Sequence, residues 1–576
     1  MGEDDRATMM SIDERQRAIA TRFPTWTPKT LHGAFDDAVT TWPNRDFLVT
    51  DARTWTYAEM ADWSRRIAAG LVALGVRPGE NVAMILANHP EFVALKLAIA
   101  RVGAVAVPIN ILNRRDELFY LLEQSDAVLL VTMDRFRDND YLRALDDIAP
   151  GWERQGGGGT LPKLRSIVVF GTVSQASHAT AINFDELDRD DADGADCKLP
   201  VVEAEATCDI VYTSGTTGSP KGVLLTHDML TRTAFGSAWA RAFEDGRRIV
   251  FSLPMYHVFG YVEGLLAVPF VGGAIIPRLR FDAIDTLRSI ERHRASDALL
   301  IPTMTLAVLD AAREDAYDLS SWHSALASGG RAPERLWSSL RDELGVEEIT
   351  TGYGMTETTA STTVTRPDDH FERLLTTNGR QRDVGVAGDP ASRQRLVTYR
   401  VIDPSTGAVL PCGEAGELVA QGMGVTRGYY KKPRETAAAF TQDGWLRTGD
   451  LGRIDSDGYI TLLGRTKESY RCGGELVLPS EIEDLLTSNA EVEQAHVVPI
   501  PDERMGEVGA AFIVVRQDAV VDAQALQRFV MERLARFKVP RHFWIVDAAT
   551  IPVTASGRAR KFLLVEQARS LLEEAR

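Results

Sequence analysis

The chain reads as an α/β protein: a large N-terminal domain of doubly wound sheets with a small β unit, then a small α+β C-terminal domain. Three observations predict this. A chain of 576 residues is too long for one core. From Thr30 to Phe170, and again from Ile249 to Pro302, helix-period segments alternate with short apolar strands, the pattern of parallel sheets. From Leu396 the pattern changes to short strands with turn signals, and past Gly464 it changes once more. The expected division is 1–464 and 465–576.

Taken in order, Met60 to Leu74 puts Met60, Trp63, Ile67, Leu71 and Leu74 on one helical stripe, and Asn81 to Leu86 follows the Pro78-Gly79 turn as a strand. Gly156 to Gly159 reads as a flexible, exposed insertion and Asp188 to Asp196 as an acidic surface loop. Strands are expected at Ile249 to Leu253, Gly273 to Pro277 and Ala298 to Pro302, and a polar surface loop at residues 366–383. Tyr399 to Ile402 and Gly416 to Val419 belong to the β unit. In the last hundred residues, strands at Ala495 to Val498, Ala511 to Val515 and His542 to Val546 combine with a helix carrying Leu526, Phe529, Val530 and Leu534 and another from Lys561.

Composition narrows the function classes. A net charge of -17 argues against nucleic acid as a partner. Cys197, Cys208, Cys412 and Cys472 form no C-x-x-C pair, so neither a disulfide framework nor a zinc site is indicated, and a reducing cytoplasm fits. The most apolar stretches, Phe92 to Pro108 and Gly264 to Pro277, are broken by Lys96 and Arg101 or by Pro269, Gly272 and Gly273, so no integral membrane segment is expected. The polar first twenty residues do not suggest a secretory signal, and the terminal Glu-Glu-Ala-Arg is not a peroxisomal address.

The most informative stretch is Asp209 to His227. Ile210, Val211 and Tyr212 make a short buried strand, followed by Thr213, Ser214, Gly215, Thr216, Thr217, Gly218 and then Pro220-Lys221-Gly222. Glycines let backbone N–H groups close on an anion, hydroxyls add donors, and Lys221 supplies a mobile charge. It is not a Walker A loop, because Lys221 follows proline and precedes glycine. The plainer alternative is a Gly/Ser turn between a strand and a helix.

Tyr212 to Gly222 resembles the signature of the adenylate-forming enzymes, which include acyl-CoA synthetases. Further matching motifs follow in that family's order, so the resemblance covers nearly the whole chain. It implies that Thr351-Gly352-Tyr353-Gly354-Met355-Thr356-Glu357 stacks adenine on Tyr353, bonds a phosphate through Thr356 and holds Mg²⁺ through Glu357, with Thr216 as a second metal contact. A capping box at Thr356 and Glu357 is the structural alternative. Asp450 in Thr448-Gly449-Asp450 is the ribose contact and Arg465 the second, and Lys467 is the hinge of a mobile C-terminal domain or a solvated turn lysine. Leu253 to Gly260 and Ser328-Gly329-Gly330 resemble acyl-pocket walls, with His257 near the adenylate carbonyl and Arg331 where relatives carry a small residue.

Cys472-Gly473-Gly474-Glu475 resembles the loop lining the thiol tunnel, and Arg471, Arg536 and Lys538 are CoA-phosphate candidates or ordinary surface charges. In Ile551 to Lys561 the family's adenylation lysine is replaced by Arg558, and Lys561 is an alternative cation. The implied activity is an ATP-dependent acyl-CoA synthetase using ATP, Mg²⁺, coenzyme A and a hydrophobic carboxylic acid, fatty before aromatic or polycyclic. Transfer to a carrier protein, or a nucleotide- or acyl-binding protein impaired by Arg558, stay open, as does a homodimer.

Overall fold

A computed structural model describes residues 10–171, 178, 180–188, 199–213, 219–328, 334–473, 475–516, 519, 521–553 and 559–574. Two seven-stranded sheets form the N-terminal part. In one, the strands Glu348–Thr350, Ser324–Ala327, Asp297–Leu300, Arg248–Phe251, Ala274–Pro277 and Asp46–Val49 run parallel, and Thr54–Thr56 turns back as an antiparallel edge. In the other, Thr207–Thr213, Val105–Pro108, Asn81–Ile85, Ala127–Met133, Ser166–Phe170 and Ile182–Asn183 are parallel neighbours, with Lys221–Thr226 antiparallel at one edge. The alternating sequence pattern has this cause: parallel strands buried on both faces need crossover helices.

The apolar stretch that cannot span a membrane is an interior helix, Pro90–Val102, in which every residue from Phe92 is buried. Its two cations are paired. Lys96 forms an ion pair with Asp209, the first residue of the stretch singled out above, and both are essentially without solvent. Arg101 donates to both oxygens of Asp36 at 2.6 and 2.8 Å and to Ser64 at 2.9 Å. Among the described residues no helix is long and apolar enough to cross a membrane.

A four-stranded antiparallel sheet (Val397–Ile402, Gly416–Gly422, Leu446–Ile454, Ile460–Arg465) follows. Beyond it a separate hydrophobic cluster runs from Tyr470 to Ala568, packing the helices Pro479–Thr487, Ala523–Met531 and Lys561–Glu574 on the long Val492–Asp502 and Gly506–Val515 hairpin. His542–Ile545 joins that hairpin in parallel.

Two sequence expectations fail. Gly156 and Gly157 are buried, and added Cβ atoms would lie 2.4 Å from Leu164 O and 2.2 Å from Leu161 O, so the first half of this glycine run is a close-packed turn, while Gly159 is exposed as expected. Residues 366–383 are not a plain surface loop: they contain the helix Phe371–Thr376 and the strand Arg380–Gln381, and Arg382 is buried against Glu263. Polar composition misled because these polar groups have partners inside. Of the acidic loop, residues 189–196 lie outside the described residues, while Asp188 pairs with Arg66.

Removing one partner of a buried ion pair strands the other, at a cost of about 3–5 kcal/mol. Lys96→Met should therefore lower the denaturant midpoint of the N-terminal unfolding transition, and Asp209→Asn added to it should restore much of the loss. An unchanged midpoint in the single variant would show that the pair contributes nothing.

Candidate active site

The phosphate-loop candidate closes a hairpin. Thr207–Thr213 and Lys221–Thr226 pair antiparallel, with Thr213 opposite Lys221, so the loop joins strand to strand and not strand to helix as the plainer alternative had it. The helix His227–Ala240 begins a full strand later, capped by the Thr226 hydroxyl accepting from Met229 N–H at 3.2 Å. No helix dipole directly follows the loop. Ser214, Gly215, Thr216, Thr217 and Gly218 lie outside the described residues. The stem is braced from beneath by Asp209, which the Tyr261 hydroxyl approaches at 3.5 Å.

Thr351 to Glu357 occupies a tight neighbouring turn. Gly352–Met355 pairs with Ala360–Val364 so closely that a Cβ on Gly354 would fall 1.8 Å from Ala360 O. Only glycine fits. Thr351 is buried and its N–H donates to the Thr365 hydroxyl at 2.9 Å. Thr356–Thr358 forms a single short turn, after which Thr359 and Ala360 take φ values of 59° and 80°. Left-handed backbone at non-glycine residues is strained and clusters at functional sites. No helix follows for a capping box to serve, and the Glu357 carboxylate instead accepts from the Tyr429 hydroxyl at 3.0 Å.

Glu357 and Thr356 are both 6% exposed. Burial pushes the Glu357 carboxyl up, against the Tyr429 hydrogen bond and the fields of Lys221 and Arg465. The Lys221 ammonium lies 4.5 Å from the centre of the Tyr429 ring. Tyr353 is buried, and its hydroxyl donates to Asp450 at 2.6 Å, while Arg465 Nε meets the other Asp450 oxygen at 3.0 Å. Asp450 is set by its own local turn: Gly449 has φ 71°, and the Asp450 N–H donates to the Thr448 hydroxyl at 3.1 Å. Asp450, Tyr353 and Glu357 all raise or hold the charge of Arg465, so the nucleotide candidates Lys221, Tyr353, Glu357, Asp450 and Arg465 are one electrostatic cluster.

The wall candidates are held by Asn88, whose amide donates to Leu253 O at 3.0 Å and Arg278 O at 3.1 Å and accepts from Met255 N–H at 2.8 Å. His257 is exposed, and its Nδ1 accepts from Phe259 N–H at 3.2 Å. From Phe259 to Leu265 the chain forms a π-helix, an uncommon form often found at functional sites. The Ser328 hydroxyl donates to Gly352 O at 2.6 Å, tying this wall to the turn. Gly329, Gly330 and Arg331 lie outside the described residues, as do Gly474 and Arg558.

In the C-terminal part Gly473 has φ 61° and lies against Met505, within the Tyr470–Cys472 and Glu475–Val477 hairpin. Lys538 is committed to both oxygens of Glu481 at 2.7 Å. Lys561 is half-buried between Glu483 at 2.7 Å and Glu468 at 3.2 Å. Burial opposes its charge, but the two carboxylates outweigh this and hold its pKa above the ordinary lysine value.

Two stretches of the sequence match known families: residues 35–430 match the AMP-binding enzyme family and residues 481–558 the AMP-binding enzyme C-terminal domain. The chain belongs to the AMP-binding enzyme family. It is an acid–thiol ligase of adenylate-forming type. Among its relatives is a methyl-dioxo-octahydroindenyl-propanoyl:CoA ligase of Mycobacterium tuberculosis, 33% identical over 92% of this chain and 98% of that one. A mitochondrial medium-chain acyl-CoA ligase of Danio rerio is 29% identical over 93% of this chain and 88% of its own. Among solved structures, the O-succinylbenzoate coenzyme A synthetase of Bacillus subtilis, in complex with ATP and magnesium ion, superposes with a TM-score of 0.75. It is 28% identical and the match covers 92% of this chain and 98% of that one.

Sequence reasoning missed Tyr429 and Asn88. Neither carries a charge, and their importance lies in contacts 72 and 167 residues away in sequence, to Glu357 and Met255. The one available signal for Tyr429 was its place after Gly428, whose φ of 139° only glycine tolerates.

For this AMP-binding enzyme, a carboxylate facing two ribose hydroxyls should contribute about 3 kcal/mol, or roughly a hundredfold in affinity. Asp450→Ala should weaken AMP binding by that factor in isothermal titration. Parental affinity would remove Asp450 from the nucleotide site.

Proposed function

We propose that the chain is an ATP-dependent acyl-CoA synthetase that activates a hydrophobic carboxylic acid, with a medium-sized fatty acid as the first choice. The observation that carries the reading is the cluster in which Lys221, Tyr353, Glu357, Asp450 and Arg465 meet. The acid's carboxylate attacks the α-phosphorus of ATP, the bond to the β-phosphate oxygen breaks, and pyrophosphate leaves toward the loop that ends in Lys221. Tyr353, Asp450 and Arg465 retain the acyl-adenylate, with Thr351, Gly354, Gly329 and Gly330 shaping its seat. CoA thiolate then attacks the acyl carbon and AMP departs.

The donor set fits a magnesium ion that arrives with the triphosphate. Among the described residues no three His, Cys, Asp or Glu side chains gather to hold a metal alone, and one buried carboxylate suits a hard cation whose other ligands are phosphate oxygens and water. Glu357 and Thr216 would hold it, and it would supply charge neutralisation on the phosphates. Residues 465–576 would pivot at Lys467 between the two half-reactions, removing Arg558 and bringing Gly473 and Gly474 to the acyl group. The commitment of Lys561 to two glutamates favours Arg558 as the adenylating cation. A hydrophobic acid is supported by the half-buried Phe259, two residues from the exposed His257, and by relatives named for medium-chain and indenyl-propanoyl substrates. A cytoplasmic location goes with this reading.

A panel of acids in a CoA-dependent AMP-release assay tests it. Medium-chain fatty acids and fused-ring propanoates should lead, and acetate should trail. Release that needs no free CoA would instead indicate a carrier protein as acceptor.

Arg558→Ala should depress ATP–pyrophosphate exchange about a hundredfold, as for the loss of one preorganised donor, and thioester formation from supplied acyl-adenylate should survive. Lys561→Ala should instead lower the melting temperature of the C-terminal part while exchange persists. The reverse pattern would assign adenylation to Lys561, and no exchange with any acid in the parent would favour a binding protein.

A further inference from the structure

We propose that Tyr429 is a positioning residue of the adenylation step, holding Glu357 with its hydroxyl and Lys221 with its ring face so that the two opposite charges stay apart until a metal–nucleotide complex takes both. The inference rests on the reading of Glu357 as a metal ligand given above.

Tyr429 contacts both groups, Glu357 through its hydroxyl and Lys221 through its ring. Its hydroxyl donates to Glu357 Oε1 at 3.0 Å, and the Lys221 ammonium stands 4.5 Å from its ring centre. Among the described residues no cation lies within ion-pair distance of Glu357, although Lys221 is near enough for its field to act on the carboxyl. Two opposite charges, one of them on a buried carboxylate, attract, and a direct contact would occupy the groups a triphosphate and its cation require. An aromatic ring separates them without adding charge: its face attracts the ammonium, and its hydroxyl satisfies one carboxylate oxygen.

Tyr429 is itself fixed at both sides. Its N–H donates to the Thr436 hydroxyl at 3.0 Å, and it forms a bridge with Val223, two residues past Lys221. Tyr430 N–H donates to Gly222 O at 2.7 Å, and Leu224 N–H to Gly428 O at 3.1 Å. The same segment reaches the other group through its backbone, because Thr426 N–H donates to Glu357 O at 2.8 Å. Thr426 to Tyr430 thus joins the stem of the phosphate loop to the turn that bears Glu357, and Tyr429 is 8% exposed within it.

The test uses the full chain with adenosine α,β-methylene triphosphate and follows Mn²⁺ binding to that complex by electron paramagnetic resonance. Outer partners of metal ligands typically change metal affinity ten- to a hundredfold. Tyr429→Phe, which keeps the ring and removes the hydroxyl, should weaken Mn²⁺ about tenfold and leave metal-free AMP affinity unchanged, since Asp450, Tyr353 and Arg465 hold the nucleoside. Tyr429→Leu should in addition weaken metal-free nucleotide triphosphate about threefold, from loss of the ring beneath Lys221. Glu357→Gln is the reference. If it weakens Mn²⁺ and Tyr429→Phe does not, the positioning role is wrong. If Glu357→Gln leaves Mn²⁺ binding intact, the metal-ligand reading has failed and the proposal falls with it. Equal losses of AMP and Mn²⁺ affinity in Tyr429→Phe, with a lowered melting temperature, would reduce Tyr429 to a structural residue and overturn the proposal.

Discussion

The site depends on a charge that is buried but not neutralised by a neighbour. Glu357 is 6% exposed, and among the described residues its side-chain partner at hydrogen-bond distance is a neutral tyrosine. At an effective dielectric constant near 20, a direct ion pair at 4 Å is worth about 4 kcal/mol, enough to compete with a ligand for either partner. On the positioning role proposed above, the contact of Lys221 with the Tyr429 ring avoids that competition. Asp450 meets a similar need differently, because its two oxygens are shared between the Tyr353 hydroxyl and Arg465. On the proposed reading of Asp450 as the ribose contact, ribose hydroxyls would replace one set of hydrogen bonds with another when a nucleotide enters.

Elsewhere among the described residues, several buried charges are ion-paired. Lys96 with Asp209, Arg382 with Glu263, and Arg241 and Arg247 with Asp297 are all closed to water. Such pairs add little net stability, since desolvation offsets much of the attraction. Their effect here is to fix register. Asp209 lies on the strand that leads into the phosphate loop, and Glu263 lies on the π-helix beside the wall segment and accepts from Ser361 N–H at 3.1 Å. The Asp209 and Glu263 pairs therefore join candidate site segments to distant parts of the chain.

The sequence was legible where chemistry is local. The strand before the phosphate loop, the helix at Met60 to Leu74 and the β unit after Leu396 each follow from periodicity and turn residues within a short window. Asp450, Glu357 and Lys221 were visible because ionisable residues set among glycines and threonines are conspicuous. What could not be read was whatever long-range contact decides. Arg382 sits in a polar run that looks like a loop, and only the fold reveals Glu263 opposite it. Gly156 and Gly157 look like slack but are needed where Leu161 and Leu164 carbonyls press against them. Lys561 is an alternative adenylating cation in the sequence, which does not reveal its ion pairs with Glu468 and Glu483, 93 and 78 residues earlier.

The strand Lys221–Thr226 is the outermost member of its sheet, and its free side is covered by the Gly428–Tyr430 segment through the Val223 bridge and the bonds of Leu224 and Tyr430. An uncovered strand edge is a template for pairing with other chains. Loosening this segment to enlarge the site would therefore unmask a sticky border as well. Solubility and catalytic geometry are tied to the same few backbone bonds, and variants that lose one should be expected to aggregate before they unfold.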